Sequence, residues 1–163
     1  MTVRSATQAD LETIRAIHNQ GIEDRDATLD LDPKGEEDAA EWYAAHGGRY
    51  VVLVAERDGA IAGWASLNRY SHRCAYDGVA DLSVYVERTA RGTGVGRTLL
   101  AAIEEAARAN DFHKIVLFAL AHNEAGRRLY RSAGYREVGL FMEQGRLDGR
   151  YVDVIAMERI VAP

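Results

Sequence analysis

A ten-residue turn rich in glycine and arginine separates a strand-like segment from an amphipathic helix. It covers residues 88–97 and reads Arg-Thr-Ala-Arg-Gly-Thr-Gly-Val-Gly-Arg. The apolar segment Val79–Val86 precedes it, and a helix is predicted over Val95–Asn110, with Leu99 and Ile103 on one stripe. Alternating glycines let a backbone approach a ligand closely, and the amides at a helix start bind anions. The turn therefore predicts a phosphate-binding junction between a strand and a helix.

Two common phosphate-binding motifs do not fit this turn. A P-loop has Gly-Lys-Ser/Thr after its glycines, whereas Gly96 is followed by Arg97 and Thr98. The dinucleotide fingerprint needs a third glycine at position 97 and a place after the first strand. Arg97 also stands in the first helical turn, where the helix dipole disfavours a cation. We therefore expect an anionic ligand other than a P-loop nucleotide or NAD.

Hydrophobic periodicity predicts eleven elements in the order β-α-α-β-β-β-α-β-α-β-β. Strands are predicted at Thr2–Arg4, Tyr50–Glu56, Ala60–Leu67, Val79–Val86, Lys114–Leu120, Tyr135–Glu143 and Tyr151–Arg159. Helices are predicted at Ala9–Asn19, Glu36–His46, Val95–Asn110 and Asn123–Ala133, with a polar loop over Gly21–Gly35. This order indicates a mixed α/β sheet with helices on both faces.

Composition limits the class of protein. The 163 residues fit one domain, which we expect to span residues 1–163, and 47% hydrophobic residues are ordinary for a globular chain. A net charge of -5 disfavours nucleic-acid and anionic-membrane partners. The single cysteine, Cys74, excludes an internal disulfide framework, and no apolar run approaches membrane-spanning length. We therefore expect a cytoplasmic protein.

Two motifs together resemble the GCN5-related N-acetyltransferase (GNAT) family. Its pyrophosphate loop, Gln/Arg-x-x-Gly-x-Gly/Ala, is matched by residues 91–96, and residues 123–135 match its downstream Asn…Leu-Tyr…Gly-Tyr segment. The resemblance extends over nearly the whole chain. Within the family, the chain is most similar to the phosphinothricin N-acetyltransferase branch, which includes enzymes acting on methionine sulfone and sulfoximine. The segments that carry this closer likeness are residues 63–65, 73–76, 83–86 and 148–154.

The resemblance implies the GNAT fold: a central mixed, mostly antiparallel sheet in which two parallel strands splay apart in a V, with helices on both faces. It also implies that acetyl-CoA lies in that cleft, with its pantetheine arm along one strand and its pyrophosphate on the glycine turn. The cofactor-binding residues implied are Val84, Tyr85, Val86, Arg91, Gly92, Thr93, Gly94, Val95, Gly96, Arg97 and Asn123.

The implied reaction is direct acetyl transfer from the thioester to a neutral amine, without a metal. An amine is protonated at neutral pH, so a base is useful. Asp81 stands where the branch commonly carries glutamate; direct action, action through water, and an ordinary strand-edge role all remain open. Tyr130 matches the family's usual general acid, which protonates the departing thiolate, and the alternative is a core tyrosine.

Substrate-binding residues are harder to assign. Arg73 and Tyr76 lie in the segment matching the pocket of the branch, and a cation with a hydroxyl suits an anionic amino acid; the alternative is an exposed loop. Some members carry a histidine where this chain has Val152. The five histidines show no metal-ligand spacing, so no metal is expected.

Other activities stay open beside the transfer to a small amino-acid-like amine. The same chemistry could act on a polyamine, an antibiotic or a protein N-terminus. A non-catalytic sensor that binds acyl-CoA is an alternative of a different class. A homodimer is expected from the resemblance alone.

Overall fold

The computed structural model describes residues 1–161, so the last two residues of the predicted domain lie outside the described residues. The strands are β1 Thr2–Ser5, β2 Val52–Arg57, β3 Ala60–Arg69, β4 Val79–Val86, β5 Lys114–Leu120, β6 Arg136–Leu147 and β7 Arg150–Ile160. The α-helices are α1 Leu11–Asp24, α2 Glu36–Ala44, α3 Val95–Ala109 and α4 Glu124–Ser132. The predicted element order is confirmed.

The strands form one seven-stranded sheet in the order β1-β2-β3-β4-β5-β7-β6. Every neighbouring pair is antiparallel except β4 and β5, which pair in parallel only where Val79–Asp81 lies beside Lys114–Val116. Beyond Asp81 the two strands are not paired with each other within the described residues, so they diverge. The expected V-shaped splay, and with it the predicted fold class, is confirmed.

Alternation along β4 divides its side chains between two layers. Leu82 packs into the main core with Leu99 and Ile103 of α3, which are fully buried. Tyr85 faces the opposite side, where it packs against the cluster around Ile14 and Trp64 under α1 and α2. Asp81 shares the face of Tyr85, because side chains two residues apart lie on one face of a strand. Helices therefore cover both faces, while the diverging edge of β4 stays accessible.

Two predicted boundaries are wrong by four residues or more. α1 continues to Asp24 instead of ending at Asn19, so four residues of the predicted loop are helical. Gly21 does not break the helix because it packs against Tyr85: a Cβ there would lie 3.0 Å from a ring carbon. The helix ends at Arg25, whose φ of 56° is left-handed.

The second wrong boundary concerns β6. It runs to Leu147, past the predicted end at Glu143. Its register with β7 shifts between Phe141 and Gly145, and Glu143 has a φ of 51°. The backbone amide of Glu143 donates to the Asp153 carboxylate at 2.7 Å. This bulge explains the error, because it interrupts the alternation from which a strand is predicted without ending the strand.

Candidate active site

Two connected cavities occupy the gap where β4 and β5 diverge. The first, called the outer cavity here, is about 540 Å³ and lies between the glycine turn and α4. The second, called the inner cavity, is about 240 Å³ and lies between β4 and β5. Val84, Tyr85 and Tyr130 line both. The two cavities therefore form one continuous cleft.

Most of the predicted cofactor-binding residues line the outer cavity. They are Val84, Tyr85, Val86, Arg91, Gly92, Gly94, Gly96, Arg97 and Asn123. Val95 instead points into the main core and is 1% exposed. Thr93 does not line the cavity, and its hydroxyl donates to the Ala90 carbonyl at 2.7 Å within the turn. The structure thus collects nine of the eleven predicted residues around one cavity.

The glycines of the turn serve two different purposes. Gly92 and Gly94 have φ values of 75° and 95°, which favour glycine, and no atom lies within 4 Å of a Cβ built on either. They are therefore required by the backbone path, which ends with Gly94 as the N-cap of α3. Gly96 is required by packing, because a Cβ there would lie 2.8 Å from a Leu129 methyl carbon on α4. The first-turn amides of α3, which have no intrahelical partner, begin at the wall of the outer cavity.

The basic cluster of the turn is partly neutralised. Asp24 at the end of α1 lies 2.7 Å from both Arg88 and Arg91, and Arg88 also pairs with Glu23 at 3.1 Å. Hydrogen bonds from Arg88 and then Arg91 hold the pKa of the Asp24 carboxyl below its usual range. The elongation of α1 brings Asp24 into this position, which is why the sequence did not indicate the pairing.

Two arginines at the outer cavity keep their charge available. Arg97 and Arg128 both line it, and within residues 1–161 neither has a carboxylate in ion-pair range. Arg128 was missed by sequence reasoning. Its position in α4, three residues after Ala125 on the same cavity wall, is the signal that could have found it.

Asp81 and Tyr130 line the same inner cavity. Burial raises the pKa of Asp81 to about 6, although a hydrogen bond from Asn68 works in the other direction. Burial, then the proximity of Tyr85 and Asp81, raises the pKa of Tyr130 above its ordinary value. The cleft therefore contains a carboxylate that can take a proton near neutral pH and a phenol that stays protonated.

Only one of the two predicted substrate-binding residues lines a cavity. Tyr76 lines a third cavity of about 510 Å³, on the β3–β4 connection, together with Arg69, Tyr70 and Asp81. Arg73 is exposed and does not line that cavity. Arg69, at the end of β3, was missed; its guanidinium lies 5.5 Å above the ring of Tyr50.

Val152, at the position where some relatives of the branch carry a histidine, is half-buried. It packs against the small apolar cluster of Leu120, Leu147 and Val154. A hydrophobic residue suits those surroundings, so this place in the fold offers no proton-transfer group.

A polar network behind Asp81 was also missed. Asn68 lies opposite Asp81 in the β3–β4 register, and its amide nitrogen is 3.2 Å from Asp81 and 3.0 Å from the Ser83 hydroxyl. The Asn68 oxygen lies 2.9 Å from His46 Nε2. Asn68 is a polar residue in a buried strand, which is the one signal that the sequence offered.

Other classes of site find no support in the part of the chain that the structure describes. No group of three or more His, Cys, Asp or Glu side chains is placed to hold a metal ion. No helix in this part is both long and apolar enough to cross a membrane.

Comparison with known proteins relates this cleft to a family. A family model described as the acetyltransferase (GNAT) family matches residues 16–135. A phosphinothricin N-acetyltransferase of Streptomyces coelicolor is 33% identical over 161 residues, covering 96% of this chain and 94% of the relative. An L-methionine sulfoximine/L-methionine sulfone acetyltransferase of Pseudomonas paraeruginosa is 31% identical over 164 residues, covering 99% and 95%.

A solved structure extends the likeness to three dimensions. The GNAT superfamily phosphinothricin acetyltransferase from Sinorhizobium meliloti, in complex with AcCoA, superposes with a TM-score of 0.94 at 28% identity. The match covers 99% of this chain and 88% of that one. The relationship therefore includes the whole sheet and the cleft, rather than the glycine turn alone.

Proposed function

The chain belongs to the acetyltransferase (GNAT) family, and from that premise we propose that it transfers the acetyl group of acetyl-CoA to a small amino-acid-like amine of the phosphinothricin, methionine sulfone or methionine sulfoximine type. One observation carries the proposal. Asp81 and Tyr130 line an inner cavity that is continuous with the outer cavity beside the glycine turn. A base, a proton donor and an anion-binding helix start thus share one cleft.

The residues of the outer cavity suit acetyl-CoA. The uncommitted charges of Arg97 and Arg128 and the amides that follow Gly94 suit its phosphates. The edge of β4 over Val84–Val86 is free of β5 and suits the amide groups of the pantetheine arm. When bound there, acetyl-CoA supplies the thioester and the leaving thiolate. The residues then contribute binding, orientation and proton transfer.

Asp81 is the proposed base. It takes a proton from the ammonium group of the acceptor, directly or through one water, so that a neutral amine attacks. A carboxyl with a pKa of about 6 is mostly ionised at pH 7 and is more basic than an ordinary aspartate. Holding the amine beside the thioester removes much of the entropic barrier of a bimolecular step.

Tyr130 is the proposed donor to the leaving thiolate. A thiol has an ordinary pKa of about 8.5. Because the pKa of Tyr130 is raised above the usual tyrosine value, complete proton transfer from Tyr130 to the thiolate is uphill. Tyr130 therefore acts by donating a hydrogen bond to the developing negative charge.

The acceptor is proposed to enter through the third cavity, because Asp81 lies in the walls of both this cavity and the inner one. The Arg69 guanidinium and the Tyr76 hydroxyl suit the carboxylate of an amino acid. Arg73 lies on the same connection and is retained as a second, more peripheral cation for the anionic head group.

Further features of the proposal concern the whole molecule. We propose one N-acetyltransferase domain over residues 1–163, cytoplasmic and independent of any metal. We also propose a homodimer formed through the outer strand β6. Val138, Leu140 and Met142 alternate along this edge strand and are all more than half exposed, Met142 at 77%. Such a row of apolar side chains on an unpaired edge favours association.

A thiol-release assay tests the function. Acetyl-CoA is supplied with phosphinothricin, methionine sulfone, methionine sulfoximine, a polyamine, an aminoglycoside and a peptide with an N-terminal alanine. We expect the highest kcat/KM for one of the first three. Highest turnover of another amine would replace the substrate class, and CoA binding without turnover of any amine would favour the sensor.

A further inference from the structure

We propose that His46 is a positioning residue for Asp81: acting through the side-chain amide of Asn68, it favours the ionised form of the carboxylate. This inference rests on the proposed function, because Asp81 is the base of that reaction. None of the features that indicated the function involves α2, at whose end His46 lies.

The geometry forms a chain of four groups. His46 Nδ1 lies 2.7 Å from the carbonyl oxygen of Trp42 in the last turn of α2, and His46 Nε2 lies 2.9 Å from Asn68 Oδ1. The Ser66 hydroxyl donates to the same Asn68 oxygen at 2.9 Å. On its other side, Asn68 Nδ2 donates to Asp81 at 3.2 Å.

The direction of these hydrogen bonds fixes the proton on His46. An ionised carboxylate only accepts, so Asn68 must present its NH₂ to Asp81 and its oxygen to His46. His46 Nε2 bonds to that oxygen only if it carries a proton. The Trp42 carbonyl also only accepts, so Nδ1 carries a proton as well. The arrangement is therefore complete when His46 is an imidazolium and Asp81 is a carboxylate.

A second arrangement is complete with Asp81 protonated. The Asn68 amide, turned by half a revolution, accepts from the Asp81 carboxyl and donates to Nε2 of a neutral His46, whose Nδ1 still donates to Trp42. The two arrangements hold the same number of protons. The protonation of Asp81 and the orientation of the Asn68 amide are therefore coupled to the proton on His46 Nε2.

Among the described residues that line the cavities containing Asp81 or His46, there is no second carboxylate and no second histidine. The other titratable or charged side chains that line the cavities containing Asp81 or His46 are Tyr50, Arg69, Tyr70, Tyr76, Tyr85 and Tyr130. His46 is half-buried in a cavity of about 390 Å³ with Asn68 and Ser83, so it has a route to water.

The test follows the titration of Asp81 by carboxyl ¹³C NMR, with the Asp81 signal identified by its loss in Asp81→Asn. This readout does not depend on turnover, so failure of the inference is separable from failure of the proposed function. In His46→Leu, we expect the midpoint to rise by about 0.5 to 1 pH unit, because a partner cation is lost. His46→Gln keeps a donor toward Asn68 and should fall between His46→Leu and wild type. His113→Gln, an exposed histidine outside these cavities, is the matched control.

A second comparison isolates the role of Asn68. In an Asn68→Leu background, His46→Leu should cause no further change in the Asp81 midpoint. The acid limb of kcat/KM should move with the NMR midpoint in each variant. An unchanged midpoint in His46→Leu, or equal shifts with and without Asn68, would overturn the proposal, and thermal unfolding of each variant shows that it is folded.

Discussion

Asp24 Oδ2 lies 2.7 Å from Arg91 Nη1, and the other oxygen of the same carboxylate lies 2.7 Å from Arg88. The end of α1 therefore forms ion pairs with the arginines that precede the glycines, while Arg97 after them remains available for a ligand. Ion pairs therefore neutralise the arginines before the glycines, whereas the charge of Arg97 after them is not neutralised within residues 1–161.

This division predicts which arginines matter for CoA. Arg97→Gln and Arg128→Gln should each weaken CoA binding about tenfold, the low end for a charge-assisted hydrogen bond at an exposed site. Arg88→Gln should change the Kd less than about twofold, because Arg88 is occupied by Glu23 and Asp24. Calorimetric titration measures all three. An Arg88→Gln effect as large as that of Arg97→Gln would show that the ion pairs open on binding.

The positive φ at Gly94 predicts that its substitution lowers CoA affinity, an effect that can be distinguished from the loss of stability. Gly94→Ala forces an L-residue into a left-handed conformation, which costs about 1 to 2 kcal/mol. Gly48→Ala is a matched control, since Gly48 also has a positive φ, +57°, and no atom within 4 Å of an added Cβ. Urea unfolding should show similar losses for both. Only Gly94→Ala should also weaken CoA binding. Equal CoA affinity for the two variants would show that the backbone at Gly94 does not contribute to CoA binding.

The raised pKa of Asp81 predicts a conflict between activity and stability. The carboxyl binds its proton more tightly in the folded state, with a pKa of about 6, than at its ordinary value of 3.8. Stability from this group is therefore fully present below pH 3.8 and is lost as the pH rises through 6, by roughly 3 kcal/mol in all. Asp81→Asn should match wild type near pH 4 and exceed its free energy of unfolding at pH 8. If the difference in free energy of unfolding between Asp81→Asn and wild type were the same at pH 4 and at pH 8, Asp81 would not be desolvated.

The same group sets the pH dependence of the reaction. The ionised form of Asp81 is the proposed base, so kcat/KM should rise with pH through about 6. Asp81→Asn should reduce kcat/KM by at least about a hundredfold and remove this limb, while CoA affinity stays within twofold. Retention of the limb in Asp81→Asn would assign it to another group.

The proposed hydrogen bond from Tyr130 to the leaving thiolate predicts a moderate effect of its removal on kcat. Tyr130→Phe should lower kcat about ten- to a hundredfold, the range expected for one hydrogen bond to a charge, with little change in the KM for acetyl-CoA. Steady-state kinetics across pH gives both values. Turnover equal to wild type at every pH would make Tyr130 a packing residue.

The exposed edge of β6 predicts the oligomeric state. Light scattering at micromolar concentration should give the mass of a dimer. Met142→Asp should give a monomer with an unchanged circular dichroism spectrum, since Met142 is 77% exposed and its replacement leaves the core intact. A wild-type monomer would remove the proposed dimer.

The sequence predicted the parts of the fold that depend on local pattern. The strands predicted on either side of Asp58–Gly59 and of Asp148–Gly149 pair as antiparallel neighbours, and both aspartates have positive φ. The end of α1 was missed, because the reason that Gly21 stays helical is a contact with Tyr85, 64 residues along the chain. A local pattern carries no information on such a contact.

The residues of the site also differ in whether a local sequence pattern or a long-range contact places them there. The glycine turn is contiguous, and five of the seven cofactor-binding residues predicted in it line one cavity. Arg69 and Asn68 lie on β3, Arg128 lies on α4, and His46 follows α2. The sequence around them carried only weak signals, because tertiary packing brings them to the cleft. Arg73 and Tyr76 were both predicted because they lie in the segment that resembles the pocket of the branch, but only Tyr76 lines the cavity.

The central claim is that Asp81 in this cleft supports acetyl transfer to an amine. The most direct test incubates the protein with ¹³C-acetyl-CoA and methionine sulfone or phosphinothricin, and follows the amine by mass spectrometry. The account predicts a labelled N-acetyl product with wild type and its loss with Asp81→Asn, both proteins binding CoA equally. Labelled product formed at the same rate by Asp81→Asn, or none from wild type, would contradict it.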